Sequence, residues 1–426
     1  MNRTTHRWSA AVVCALFALT ACSGRSTPAP EADGEAGGDT TAAADDCTPL
    51  ETRPPNAPNQ QPSFEGQTRA CGVTSNVSFD VAVVARGLEH PWAVEPLPGG
   101  DLLVTERPGR LRIVTAGGQV GEPITGLPEV DARGQGGLLD VALSPSFATD
   151  RTIFWSYSEP REGGNGTSVA RGVLAQDNRS VSQVQVIFRV LPTYDGTAHY
   201  GSRLAFGPDG KLFITTGERS DTPMRRYAQQ LDSHLGSTVR INPDGSVPDD
   251  NPFVGQANAR GEIWTLGQRN VQALAFDGDG RLWSVDHGPQ GGDELNLIEK
   301  GKNYGWPRVT YGEEYSGQAI PDAVTASPDY EPPVYYWDPV IAPSGAQFYS
   351  GSAFPAWRGN LFVGGMKDTR LIRLVIDDER VVGEEHLLAE RGQRVRDVRE
   401  GPDGALYIVT DEDNGELWRI SPGGAR

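Results

Sequence analysis

The chain is poor in the residues that build most metal and nucleotide sites. It has only four cysteines and six histidines in 426 residues. None of them cluster with zinc-ligand spacing, which argues against a zinc centre. No G-x-S-x-G elbow and no dinucleotide-type glycine fingerprint falls on a strand-to-helix turn, so neither serine-hydrolase nor Rossmann chemistry is indicated. Basic blocks are missing too. The net charge is −18, and nucleic acid and anionic lipid headgroups are poor general partners for such a surface. No long amphipathic helix is evident. The one apolar run, Trp8 to Thr20, is shorter than the roughly 20 residues of a transmembrane helix.

That run has a different meaning. Arg3, His6 and Arg7 precede it, and Leu19-Thr20-Ala21-Cys22 ends it. This is the order of a secretory signal peptide, and the final tetrapeptide resembles a bacterial lipobox. Residues 1–21 are therefore expected to be a lipoprotein signal peptide, with lipid on Cys22. The protein would be exported and lipid-anchored to the outer face of the cell membrane. Ordinary secretion, with cleavage at a nearby small residue, is the alternative. Residues 22–46 are Ala, Gly, Pro, Thr and acidic residues, which cannot bury enough surface to offset their ordering entropy. They read as a disordered tether. Cys14 leaves with the signal, so Cys47 and Cys71 remain in an oxidising compartment and are expected to pair. Their bond would close a lead-in over residues 47–76 and contribute roughly 3 kcal/mol.

From about residue 77 to 426 one pattern recurs, a strand, a tight turn and a strand. Trp92-Ala93-Val94 leads through Pro98-Gly99-Gly100 to Leu102–Thr105. Leu204-Ala205-Phe206 leads through Pro208-Asp209-Gly210 to Leu212–Thr215. Leu274-Ala275-Phe276 leads through Asp277–Gly280 to Leu282–Val285, and Val398 leads through Pro402-Asp403-Gly404 to Leu406–Thr410. Asp-Gly suits the positive-φ positions of such turns. Two looser copies, Leu139–Leu143 with Ile153–Ser156 and Gln347–Tyr349 with Leu361–Val363, bring the number to six. Six units of about 50–70 residues predict an all-β fold, a six-bladed β-propeller of four-stranded antiparallel blades. Polar pairs follow the second strand of several copies, among them Glu106-Arg107, Glu218-Arg219, Asp286-His287, Lys367-Asp368 and Asp411-Glu412. Equivalent positions on a propeller meet on one face, so a charged central site is expected there.

Three constellations stand out. His199, just before a repeat strand, has the ordinary pKa of a general base; a hydrogen-bonded loop histidine is the alternative. Arg394-Val395-Arg396 puts two guanidinia on one side of a strand, which is unfavourable unless an anion sits between them. In an acidic chain this hints at a polyanionic ligand, with Lys367 as a third charge. The stretch Gly288-Pro289-Gln290-Gly291-Gly292-Asp293-Glu294, followed by Asn303-Tyr304-Gly305, is rich in oxygen donors of the kind a hard cation such as Ca²⁺ takes.

These residues resemble the pyrroloquinoline quinone (PQQ)-dependent aldose sugar dehydrogenases, the family that includes soluble glucose dehydrogenase. The resemblance runs from Gly87-Leu88-Glu89-His90-Pro91-Trp92-Ala93 to Arg396-Asp397-Val398. It is carried by Gly134–Leu139, Gly267-Gln268-Arg269-Asn270, Gly288–Glu294, Asn303–Pro307, Ala342–Gly345 and Arg394–Asp397. It implies PQQ and Ca²⁺ as cofactors. His199 would be the general base at the sugar C1 hydroxyl, Arg269 would hold developing charge on the quinone oxygen, and Glu218 would orient His199. Gln135, Asn270 and Tyr315 would contact cofactor or substrate, and Lys367, Arg394 and Arg396 would meet the PQQ carboxylates. Ca²⁺ would bridge PQQ and carbonyls near Gly288 and Pro289, and a second, structural Ca²⁺ site is implied around Glu294 and Tyr304, with Asp293 also a metal residue. The partners implied are a small-molecule aldose and an unidentified electron acceptor. Departures fall at Ala198, where glucose-oxidising members carry Asp, at His287 for Gln, at Val340 for a hydroxyl residue and at Ser237 for Lys. They leave glucose itself unsupported. A calcium-dependent propeller lactonase would need a metal held by channel side chains and no anion pit. A non-catalytic carbohydrate- or protein-binding propeller would tolerate loss of His199.

Overall fold

The computed structural model describes residues 47–424; the expected signal peptide, Cys22 and the tether lie outside them. Twenty-three strands form six antiparallel sheets. The first strands of the sheets are Pro91–Pro96, Leu138–Leu143, Gly201–Phe206, Val271–Phe276, Pro343–Phe348 and Val395–Glu400. Each touches the first strand of the next sheet, and the last touches the first, so the six close into a ring. This is the six-bladed propeller expected from the repeats. In five of the six first strands the leading four residues are buried and the last two half-buried. The central channel is therefore covered at the end where these strands begin and open at the other.

The sequence repeats map onto the inner two strands of each blade, and the turn chemistry is the reason. Gly210 has φ +73 in its turn, a conformation in which a side chain would be strained. Asp209 accepts the Lys211 amide and closes that turn. Five blades have four strands, but blade 1 has three. A fourth begins beside it: the amides of Gly121 and Ile124 bond to Ile113 and Leu111. Pro123 interrupts the run because it has no N–H to donate.

Blade 6 closes the ring with strands from both ends of the chain. Phe79–Leu88 pairs antiparallel with Gly415–Pro422. Apolar side chains between adjacent blades make six packed clusters, one for each blade junction. Trp155, Trp283 and Trp418 are fully buried among them. Cys47 and Cys71 are disulfide-bonded, with Cα atoms 5.0 Å apart. The segment they close packs on blades 4 and 5 through hydrogen bonds to Asp338 and Glu384.

The ring of junctions makes a testable demand. Trp283 fills the junction of blades 4 and 5 and donates its indole N–H to Asp277. Trp283→Ala should cost about 3–5 kcal/mol, read as a lowered midpoint in urea unfolding.

Candidate active site

Antiparallel pairing brings the start of each first strand and the end of each second strand to the same face. His199 precedes the first strand of blade 3, and Glu218 follows its second strand. Arg269 and Asn270 lead into blade 4, and His287 to Pro289 follow its second strand. Lys367 follows the second strand of blade 5, Arg394 and Arg396 open blade 6, and Asp411 follows its second strand. One covered face thus gathers these expected residues.

His199 sits at φ +50 with its side chain 8% exposed. Nδ1 lies 2.7 Å from Glu218 Oε1, and its backbone N–H donates to Gln135 Oε1 at 2.9 Å. Nε2 makes no hydrogen bond among the described residues. The backbone is held by close packing, because a Cβ on Gly217 would overlap the His199 carbonyl. Burial, with Arg269, Arg219 and Arg225 nearby, keeps the imidazole from protonating and drives its pKa well below 6.5. Burial raises Glu218 to about 7. When Glu218 is ionised the shared proton rests on Nδ1, and Nε2 keeps its lone pair.

Arg269 is buried beside this dyad. Its guanidinium lies 5.2 Å over Trp306 and donates through one nitrogen to the carbonyls of His287 and Gly288, at 3.0 and 2.7 Å. The Asp286 carboxylate accepts the backbone N–H groups of Arg269 and Asn270. Asn270 in turn accepts the Gly201 N–H through its side chain, which ties blade 4 to the loop that carries His199.

The arginine pair is built differently from the simplest expectation. Arg394 and Arg396 do share a side of the strand, but both approach Oδ2 of Asp411, Arg394 at 3.4 Å. An internal carboxylate therefore stands between them. Although burial opposes it, Arg396, Arg107 and Arg394 hold Asp411 far below the usual carboxylate range. Three guanidinia surround this one carboxylate, so positive charge is left over. The Arg394 side chain is 43% exposed, and that of Lys367 makes no hydrogen bond among the described residues. His90 bridges Asp411 and Asp413 in the structural role its loop suggests.

The expected cation ligands separate into two groups. Asp293 is spent on loop closure: Oδ1 accepts Gly288 N–H, and Oδ2 accepts Ile341 and Ala342 N–H. Tyr304 is tied up likewise, its hydroxyl donating to Leu297 and accepting from Glu299. Glu294 remains, beside a cavity of about 10 Å³ that Gly288, Pro289, Tyr304 and Thr310 also line. Burial, then the Asp286 carboxylate, raises Glu294 to about 8. Among the described residues no three His, Cys, Asp or Glu side chains converge on a metal position, and Arg269, Asp286 and Trp306 also line the cavity. Tyr315 stands apart from the other expected cofactor contacts. It is 70% exposed, on the rim beside the Arg225–Glu314 pair.

Sequence reasoning placed Asp286 and Asp411 on the charged face without giving either a role, and it passed over Arg225. The signal for Asp411 is its place just past the second strand, where Val395 pairs with Thr410 and sets residue 411 beside Arg394. Arg225 had none, since it comes from a one-turn helix, Thr222–Arg225, inside a long loop.

The electrostatics give a direct check. In ¹⁵N-histidine NMR, His199 should remain neutral at pH 6.5, with the proton on Nδ1 above about pH 7. An imidazolium midpoint at or above 6.5 would contradict this assignment.

Comparison with known proteins agrees with the geometry. The family model described as Glucose / Sorbosone dehydrogenase matches residues 88–419. The aldose sugar dehydrogenase YliI of Escherichia coli (strain K12) is 45% identical over 351 residues, covering 81% of this chain and 93% of its own. The crystal structure of the soluble aldose sugar dehydrogenase from Escherichia coli in the apo-form superimposes with a TM-score of 0.78 at 44% identity, over 81% of this chain and all of that one. The PQQ-bound aldose sugar dehydrogenase of Streptomyces coelicolor gives 0.66 at 30% identity, over 81% and 99%. The chain belongs to the glucose/sorbosone dehydrogenase family.

Proposed function

We propose that this protein is a PQQ- and Ca²⁺-dependent dehydrogenase that oxidises an aldose at C1 to its lactone. One observation carries the reading: a buried His199, whose Nε2 makes no hydrogen bond among the described residues, lies on the same face of the propeller as Arg269, Arg394 and Arg396. Nε2 takes the proton of the C1 hydroxyl, and Glu218 stabilises the imidazolium that forms. Bound PQQ supplies the acceptor for the C1 hydrogen and its electron pair. Arg269 places a preorganised positive charge where negative charge develops. Arg394, Arg396 and Lys367 bind the cofactor's carboxylates, because charge-assisted hydrogen bonds to guanidinium are the strong ones. Asn270 and Gln135 each use the amide oxygen within the protein and keep the amide nitrogen without a partner among the described residues, and these nitrogens orient cofactor or sugar.

The cation would be held near Glu294 by the Gly288 and Pro289 carbonyls, the Gly288 oxygen using the lone pair that Arg269 leaves open. The Streptomyces coelicolor relative, PQQ-bound and named an aldose sugar dehydrogenase, supports the cofactor assignment. The signal-like N-terminus and Cys22 support export and a lipid anchor, so the electrons leave at the outer face of the membrane to an acceptor of unidentified chemistry.

The test is reconstitution with PQQ and Ca²⁺, then dye reduction across a panel of aldoses. Wild type should turn over at least one aldose. His199→Ala should lower kcat by about 10²–10⁴-fold, the usual contribution of a general base, with PQQ still bound. Failure of wild type on every aldose, or full turnover by His199→Ala, contradicts the proposal.

A further inference from the structure

The disulfide-closed segment Cys47–Cys71 lies outside the region matched by the family, which begins at residue 88. Residues 58–70 bond to the outer part of blade 4, at Tyr311, Pro333 and Tyr335, and residues 53–57 bond to the loops beside the site. The Asn56 side chain accepts the Val340 N–H at 3.0 Å, and the Asn56 carbonyl accepts Gln290 Nε2 at 3.4 Å. The backbone amides of Asn56 and Ala57 grip the Asp338 carboxylate at 2.5 and 3.1 Å. Arg53 forms a two-point bond to Asp368, at 2.9 and 2.7 Å. Ala57 also presses on the opposite loop, since a Cβ on Gly291 would come within 2.9 Å of its methyl.

Each anchor point is one step from a group assigned to the cofactor or cation. Val340 adjoins Ile341 and Ala342, whose amides hold Asp293, and Asp293 holds Gly288. Gln290 and Gly291 continue the loop from Pro289. Asp368 follows Lys367, whose backbone N–H is bonded to the Ile341 carbonyl. Beyond the ends of the ladders these three loops from two blades meet through few backbone bonds, among them Lys367 N–H to Ile341 and Gly292 N–H to Trp337. The segment joins all three, and the disulfide shortens the slack with which it does so.

We propose that residues 47–71 are a positioning strap. Through Asn56 and Arg53 they hold loops 288–292, 338–342 and 367–368 in the arrangement that binds the anionic cofactor and its cation. This rests on the cofactor reading given above. The strap touches neither the substrate-side base nor its partner Glu218, so it acts on affinity and leaves proton abstraction alone.

The test uses the apo-protein in three forms: wild type, Asn56→Ala, and Cys47→Ser with Cys71→Ser. Hydrogen exchange is followed without cofactor, and PQQ affinity by quenching of tryptophan fluorescence at saturating Ca²⁺. Both variants should exchange faster in 288–292 and 338–342, with loop 194–199 unchanged. Asn56→Ala should bind PQQ about tenfold more weakly, the effect of one lost hydrogen bond, while its unfolding temperature stays near that of wild type. Unchanged exchange in both loops in both variants overturns the strap. Faster exchange with unaltered PQQ affinity overturns its role at the pit. Wild-type protein that binds no PQQ overturns the cofactor reading and the affinity effect with it, a result separable from the exchange data because those need no cofactor.

Discussion

A 2.7 Å contact joins His199 Nδ1 to Glu218, and the chemistry available to the pit follows from the burial of that pair. In water an imidazole would be half protonated near pH 6.5 and its partner fully ionised. Inside the propeller the imidazolium is disfavoured by lost solvation and by neighbouring guanidinia. The ring therefore stays a base, with one nitrogen oriented and the other free. Everything around it serves that state. Gly217 allows the backbone to approach, Gln135 fixes the His199 amide, and Asn270 ties the loop to blade 4.

The propeller makes the arrangement affordable. Six apolar junctions carry the stability, so the loops on the covered face are free to hold uncompensated charge. The blade 6 edge gathers Arg394 and Arg396 on the single carboxylate of Asp411, although the chain as a whole is strongly acidic. Asp411 offsets part of that charge and sets the two arginines of blade 6 in place. On the proposed reading the remainder is what a tricarboxylic quinone answers. The lead-in then completes the opposite wall, with long-range hydrogen bonds in place of sheet pairing.

Much of the fold was legible because its signals are local. Pro-Asp-Gly turns between short apolar runs marked the inner strands of blades 3 and 6, and near-relatives of that turn marked blades 1 and 4. What the pattern concealed was non-local. The pairing of Phe79–Leu88 with the C-terminal strand links residues more than 300 positions apart, with no turn between them to announce it. Pro123 stops a fourth strand in blade 1 that regular repetition would supply. At the site, His199, Glu218, Arg269 and Arg394/Arg396 were found where expected because each sits at a blade edge. Asp293 was read as a cation ligand from its chemistry and from the resemblance; the three backbone amides its oxygens accept are brought together only by the folded loops. Tyr315 was placed by resemblance, and the loop that carries it stands out on the rim.

The central claim is that His199 takes the proton of an aldose's C1 hydroxyl while the hydrogen on C1 leaves with its electron pair to the quinone that the cationic residues would hold. Single-turnover reduction of the reconstituted protein by an aldose carrying deuterium at C1 tests it directly. The account predicts slower reduction than with the protiated sugar, and no such slowing when deuterium is placed only at C2. Equal rates for the C1-deuterated and protiated sugars in the chemical step would contradict it.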